Sequence, residues 1–239
     1  MQSQLRGITA LLFSTVIFLM GNGLVGTLIP LRASLEGFSS ISVGALGAWY
    51  FAGFVAGCYG GPQLVSRVGH IRSFAVASAL IAASTMIMPI WATQVSWAAL
   101  RGLMGVCTAV VFMAIESWLN DRATNETRGR ILAIYIGANF GALLIGQWML
   151  LLGLPSSYEL FSIAAILYCV CLGPIGLTRL PAPQTPQVPR LNLERIFRIA
   201  PVGAAGCLTV GLANGAFWML APLYAQSVGF TTRQIVLFM

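Results

Sequence analysis

Seven apolar runs, each long enough to cross a lipid bilayer, limit what this chain can fold into more than any other feature. A bilayer core takes about 20 apolar residues as a helix, and such runs lie near 7–31, 41–64, 73–93, 95–118, 131–153, 157–178 and 200–224. Helices are forced on these runs because, in hydrocarbon, each segment must satisfy its own backbone N–H and C=O groups. The first run is longer than the apolar stretch of a signal peptide and no A-x-A-like site follows it, so it reads as a retained span. Soluble domains carry roughly a quarter charged residues; this chain carries 8%, with 58% apolar. The expectation is an all-α integral membrane protein, with Pro89 and Pro174 kinking the third and sixth spans.

All thirteen basic residues are arginine, and they stand singly or in small groups between the apolar runs. That is the spacing of topology signals, so the net charge of +7 points to a lipid bilayer and not to nucleic acid. With the N-terminus in the cytoplasm, Arg6, Arg67, Arg72, Arg122, Arg128, Arg130, Arg179, Arg190, Arg195 and Arg198 fall inside, against Arg32, Arg101 and Arg233 outside. The excess of positive charge inside favours this orientation. Cys58, Cys107, Cys169, Cys171 and Cys207 all lie within apolar runs, without metal-ligand spacing, and read as small buried packing residues. No cofactor motif is present.

The segment 181–189, with four prolines among nine residues, cannot be helical and reads as an extended linker. The domain boundaries follow: 1–180 as a six-helix bundle, 181–199 as a cytoplasmic connection, and 200–239 as the start of a second bundle. Within the connection Leu193, Ile196, Phe197 and Ala200 recur at helical spacing. They form either a short amphipathic helix on the inner membrane surface or a cytoplasmic extension of the seventh span.

An internal repeat ties the two ends of the chain together. At an offset of 192 residues, Asn22, Gly23, Leu28, Pro30, Leu31, Ala33, Gly37 and Phe38 fall on Asn214, Gly215, Leu220, Pro222, Leu223, Ala225, Gly229 and Phe230. Apolar bias alone does not supply matched Asn, Pro and Gly-Phe positions. The seventh span therefore restarts the first after an even number of crossings, which gives parallel repeats about an axis along the membrane normal. Residues 235–239 would begin an eighth span, so the chain reads as the first half of a longer two-bundle protein plus one helix.

The turn after the second span carries Leu64, Arg67, Gly69 and Arg72, with His70 beside them. It resembles the G-x-L-x-D-R-x-G-R-R loop between the second and third helices of the major facilitator superfamily. Ser66 stands where that pattern has aspartate, and Pro62 where it has its leading glycine, with Gly61 one place early. In the fourth span Arg101, Gly105 and Ala109 are similar to the family's R-x-x-Q-G-x-G-x-A pattern, with Met104 and Cys107 as departures. Glu116 to Asn120 (E-S-W-L-N), Asp121 and then Arg128-Gly129-Arg130 resemble the charged loop after the fourth helix. The fifth span has Gly137, Gly141 and Gly146 but no proline, which separates it from the antiporter pattern G-x-x-x-G-P. The combination looks like an uncharacterised bacterial permease branch of the superfamily.

That resemblance implies a secondary active transporter in a bacterial inner membrane, moving a small-molecule solute by alternating access, with protons as a candidate coupling ion. The family's turn holds the cytoplasmic side closed, which here assigns gating to Gly61, Ser66, Arg67, Gly69, Arg72, Glu116, Asp121, Arg128 and Arg130. An Arg67–Glu116 ion pair is the expected lock, with Asp121 as the alternative partner. Arg101 is a candidate coupling residue, or else a side chain that snorkels to the outer interface. Asn22, Asn139, Gln147 and Asn214 are polar within spans and are candidates for the solute pathway, because an amide in hydrocarbon needs a partner. Small residues at every fourth place (Gly53, Gly57 and Gly61; Ala133, Gly137 and Gly141; Gly211 and Gly215) are expected to be helix contacts.

Two other classes fit the sequence less well. A membrane enzyme would need an acid/base pair, nucleophile or metal set, yet the single histidine, His70, sits at a turn and the carboxylates gather on one loop. A seven-helix receptor or sensor would match the span count but leaves the repeat unexplained.

Overall fold

The computed structural model describes residues 2–124, 126–177 and 193–239. The described residues form α1 (Gln2–Leu35), α2 (Ser40–Val68), α3 (His70–Ile87), α4 (Gln94–Arg122), α5 (Arg128–Trp148) with a 3-10 turn after it (Met149–Leu152), and α6 (Glu159–Val170). They continue with α7 (Leu172–Gly176), α8 (Leu193–Ile199), α9 (Pro201–Ser227) and α10 (Thr232–Phe238). Seven stretches are long and apolar enough to cross a membrane, and they coincide with the seven runs of the sequence. The helices overrun the apolar stretches, α4 reaching Arg122 and α2 reaching Val68, because the hydrogen-bond ladder continues past the point where side chains become polar.

Backbone contact sets the closest packing in the bundle. Gly53 and Gly57 of α2 lie against the carbonyls of Gly102 and Val106 of α4, and Gly105 lies against the Tyr50 carbonyl. The two helices thus run parallel, backbone against backbone at these glycines. Gly23 and Gly146 make the same kind of seam between α1 and α5, against Leu143 and Met20. α3 fills the space between α4 and α6, and α1 also packs on α6. Aromatic rings centre the core: Phe18 of α1 meets Phe74 of α3, Phe112 of α4 and Tyr168 of α6 at centroid distances of 6.4, 6.2 and 5.4 Å.

Proline acts differently at the two sites expected to kink. α3 stops at Ile87, before Pro89; Met88 keeps a helical backbone (φ −53°, ψ −49°) and still bonds to the Ser84 carbonyl, and the ladder ends at Pro89 because the prolyl nitrogen has no N–H to donate. The Trp97 indole donates to the Met88 carbonyl at 2.8 Å. Pro174 does interrupt its span: it lies in α7, and without its N–H the Val170 carbonyl loses its helical donor. The break between α6 and α7 falls at Cys171.

The internal repeat is reproduced in the backbone. α1 ends at Gly37 with φ 77° and α9 at Gly229 with φ 85°, a left-handed cap that glycine adopts without strain. The Phe38 N–H bonds to the Ala33 carbonyl at 2.9 Å, and the Phe230 N–H to the Ala225 carbonyl at 3.0 Å. Ser39 and Thr231 then cap the next helices, each hydroxyl accepting from a backbone N–H three residues on. The start of an eighth helix is present as α10.

The proline-rich segment 181–189 lies outside the described residues, as does the rest of the connection up to α8. α8 is separate from α9, because Ala200 (φ −136°, ψ 65°) is not helical and Pro201 opens α9. The extension reading of 193–199 is therefore not what forms. α9 rests on α1 and α2, yet only 6% of its most apolar window is buried, against 61% for α1.

Candidate functional site

Arg101 lies about two turns into α4 and is only 4% exposed. It does not reach the interface as a snorkelling side chain would. Its guanidinium sits 4.3 Å from the centre of the Tyr50 ring on α2, a cation–π contact, and within electrostatic reach of Tyr168 on α6. The Tyr168 hydroxyl in turn donates to the Asn22 amide oxygen on α1 at 3.3 Å. Four helices thereby bring one cation, two phenols and one amide into the bundle interior.

Several polar atoms there have no protein partner among the described residues. Arg101 Nε, Asn22 Nδ2 and Gln147 Nε2 are buried and unpaired, and Gln147 is next to Gly146, where α5 meets α1. The half-buried Asn139 leaves its oxygen unpaired. Asn214 is placed differently from the other candidates: it is exposed on α9 and its amide donates to the Val210 carbonyl of its own helix. Tyr168 was not singled out by the sequence reading. Its signal was a phenol in the middle of an apolar run, where the hydroxyl has to find a partner.

At the arginine-rich end the expected turn is shorter than its sequence suggested. The chain stays helical through Val68, Gly69 alone turns with φ 88°, and α3 begins at His70. Gly61 therefore belongs to the α2–α4 contact, facing Met113 and Val110, and not to the turn. His70 is buried at 2% exposure, not displayed in a loop. The Ser66 hydroxyl donates to the Gln63 carbonyl of its own helix at 2.9 Å, so it does not cap a neighbouring helix. Arg67, Arg72, Glu116, Asp121, Arg128 and Arg130 are all exposed.

The Arg67–Glu116 ion pair is not formed in this conformation. Continuing the α2–α4 register puts the two residues level, yet the ion pair among the described residues is Arg32–Glu36, at 2.7 Å. Glu116 instead has Cys58 and Tyr135 as electrostatic neighbours. What joins α4 to α5 is an amide relay: Arg128 donates to the Asn120 side-chain oxygen at 3.0 Å, and Asn120 donates to the Glu116 carbonyl at 2.9 Å. In the connection itself, a hydrogen bond from the Thr124 hydroxyl holds the Glu126 carboxyl below the ordinary carboxylate value.

Two packing expectations are corrected. Gly137, Gly141 and Gly211 have nothing within 4 Å of where a Cβ would stand, so among the glycines of the expected series those of α2 and Gly215 meet a neighbouring helix and these three do not. Cys169 and Cys207 are exposed on the helix surface, while Cys107 and Cys171 are buried as expected.

Among the described residues, an all-helical fold with seven membrane-length helices, a repeated helix joint and a polar interior defines a multi-pass membrane protein. The chain belongs to the Major Facilitator Superfamily, whose family model matches residues 11–239. It is 28% identical over 235 residues to an uncharacterized MFS-type transporter YcaD from Escherichia fergusonii, covering 96% of this chain and 61% of the relative. The Salmonella enteritidis protein of the same description is 26% identical, over 98% of this chain and 62% of its own length. The chain thus spans about three-fifths of the length of these curated relatives. Among solved structures, an auto-inhibited POT family peptide transporter shares the fold with a TM-score of 0.53 at 13% identity, over 93% of this chain and 54% of that one.

Proposed function

We propose that this chain forms part of a secondary active transporter that moves a small solute by alternating access, with its N-terminus in the cytoplasm of a bacterial cell. The observation that carries the reading is the matched joint at 33–39 and 225–231, the same glycine cap and hydroxyl cap 192 residues apart. Two bundles that restart in the same orientation are the architecture in which a site between them can face either side in turn. Asn22, Tyr168 and Arg101 supply the solute-facing polar groups of the first bundle, with Gln147 and Asn139 on α5. Arg67 and Glu116, level but apart, close the cytoplasmic side in the opposite state. A partly exposed ion pair of this kind contributes about 0–1 kcal/mol, enough to shift a balanced equilibrium several-fold.

Access from both sides is the test. A cysteine replacing Asn22 is expected to react with impermeant thiol reagents from either face of the membrane, on a background lacking the five native cysteines. Glu116→Gln is expected to raise the cytoplasmic rate. Reactivity from one face only, in every condition, would contradict alternating access.

A further inference from the structure

We infer that the solute carries a carboxylate, bound by Arg101 in the interior of the first bundle. This rests on the reading of that interior as the solute pathway. Arg101 is 4% exposed and its Nε has no hydrogen-bond partner among the described residues. A guanidinium does not discharge at accessible pH, so it stays a cation in a setting where an unpaired charge is costly. Its Tyr50 contact is at the ring face, 4.3 Å from the centroid, which compensates one face and leaves the in-plane N–H groups for a ligand. Those edge donors match a planar two-oxygen acceptor.

Among the described residues no carboxylate takes that place. The next acidic residue along α4 is Glu116, fifteen positions on and about 22 Å away along the helix axis. Asn22, tied to Tyr168, has its Nδ2 as a second buried donor without a partner among the described residues; on α5 Gln147 Nε2 is another such donor, while Asn139 offers an open oxygen. Tyr168 links Asn22 to the cation's surroundings. A donor-rich interior with one permanent positive charge selects an anion over a neutral or cationic solute. It also defines what Arg101 does in any coupling: it holds a bound anion, since it cannot itself carry a proton.

The test uses the purified protein in lipid nanodiscs, with thermal unfolding read against matched probes. The pairs are acetate and acetamide, benzoate and benzamide, and succinate and succinamide, with methyl phosphate as a separate arm. At a hundredfold excess over its dissociation constant a bound carboxylate is expected to raise Tm by about 5 °C or more, with no shift from its amide. The shift should vanish in Arg101→Gln and be reduced in Arg101→Lys, which keeps the charge and loses the planar fork. Equal response to acid and amide, no response to any carboxylate, a response to methyl phosphate alone, or a carboxylate shift that survives in Arg101→Gln each overturn the assignment. Failure of alternating access would appear in the Asn22→Cys labelling and leave this binding result standing, so the two ideas fall separately.

Discussion

A few positions have no room for a single added methyl group, and others of the same residue type have ample room. Gly53 and Gly105 lie against backbone carbonyls of the partner helix, and backbone cannot rotate out of the way as a side-chain tip can. Gly53→Ala is expected to force α2 and α4 apart at a cost of about 1–3 kcal/mol. Gly137→Ala should cost nothing and add helix propensity. Unfolding midpoints of the two variants, measured in the same detergent, check the contrast. The sequence named both series in the same terms, since small residues at every fourth place mark a face suited to contact without saying which neighbour arrives there. The interior was legible to a similar depth. Arg101 and Asn22 were visible as polar residues in apolar runs, but Tyr168 joins them only because α6 folds back beside α1, and no local pattern encodes that. Ser66 was read for the charge it lacks. Its hydroxyl bonds to its own helix, the local option that serine always has.

Helix ends were the best specified elements. Thr93 caps α4 in a reciprocal box with Ser96, and Thr231 does the same for α10 with Gln234. The matched glycine caps carry a further expectation: alanine at Gly37 or Gly229 must adopt a left-handed φ at a cost of about 1 kcal/mol. Both variants should lower the unfolding midpoint by similar amounts, and a large difference between them would mean that the two joints are not equivalent. Proline was harder to place, because the same residue ended α3 and interrupted the sixth span. The difference is position: Pro89 comes just before the turn that leads to the Thr93 cap of α4, and Pro174 where the span still has to reach the membrane edge. Two of the three arginines outside the majority also have structural explanations. Arg32 pairs with Glu36 and donates to the Pro155 and Ser156 carbonyls, while Arg101 is buried, so neither competes as a free topology signal. With the N-terminus inside, cysteines at Ser157 and Ser227 should react with an impermeant thiol reagent on intact cells, and one at Thr185 should not. Labelling at Thr185 with Ser227 protected reverses the orientation.

For the molecule as a whole, the distribution of burial is the informative quantity. α9 buries 6% of its most apolar window, and between it and α2 lies an apolar groove of about 620 Å³ edged by Gly47, Phe51, Val55, Gly211, Leu212 and Gly215. A pathway between two bundles needs both of its walls, so vesicles carrying these 239 residues alone are expected to show no saturable solute uptake above empty vesicles. Saturable uptake by them would mean that the first bundle and α9 suffice. The broad design was readable from hydropathy, arginine spacing and the repeat, because each is written directly along the chain. How the helices pair was not, because that depends on which faces meet. The joint at Gly69 has a mechanical consequence. One residue between α2 and α3 spans at most about 7 Å between the flanking Cα atoms, so the two helix ends cannot separate. α3 in turn packs on α6, the helix that carries Tyr168. The adjoining ends of α2 and α3 are thereby tethered within one residue of each other, on the side of the bundle where α3 leads to the helix of the buried phenol.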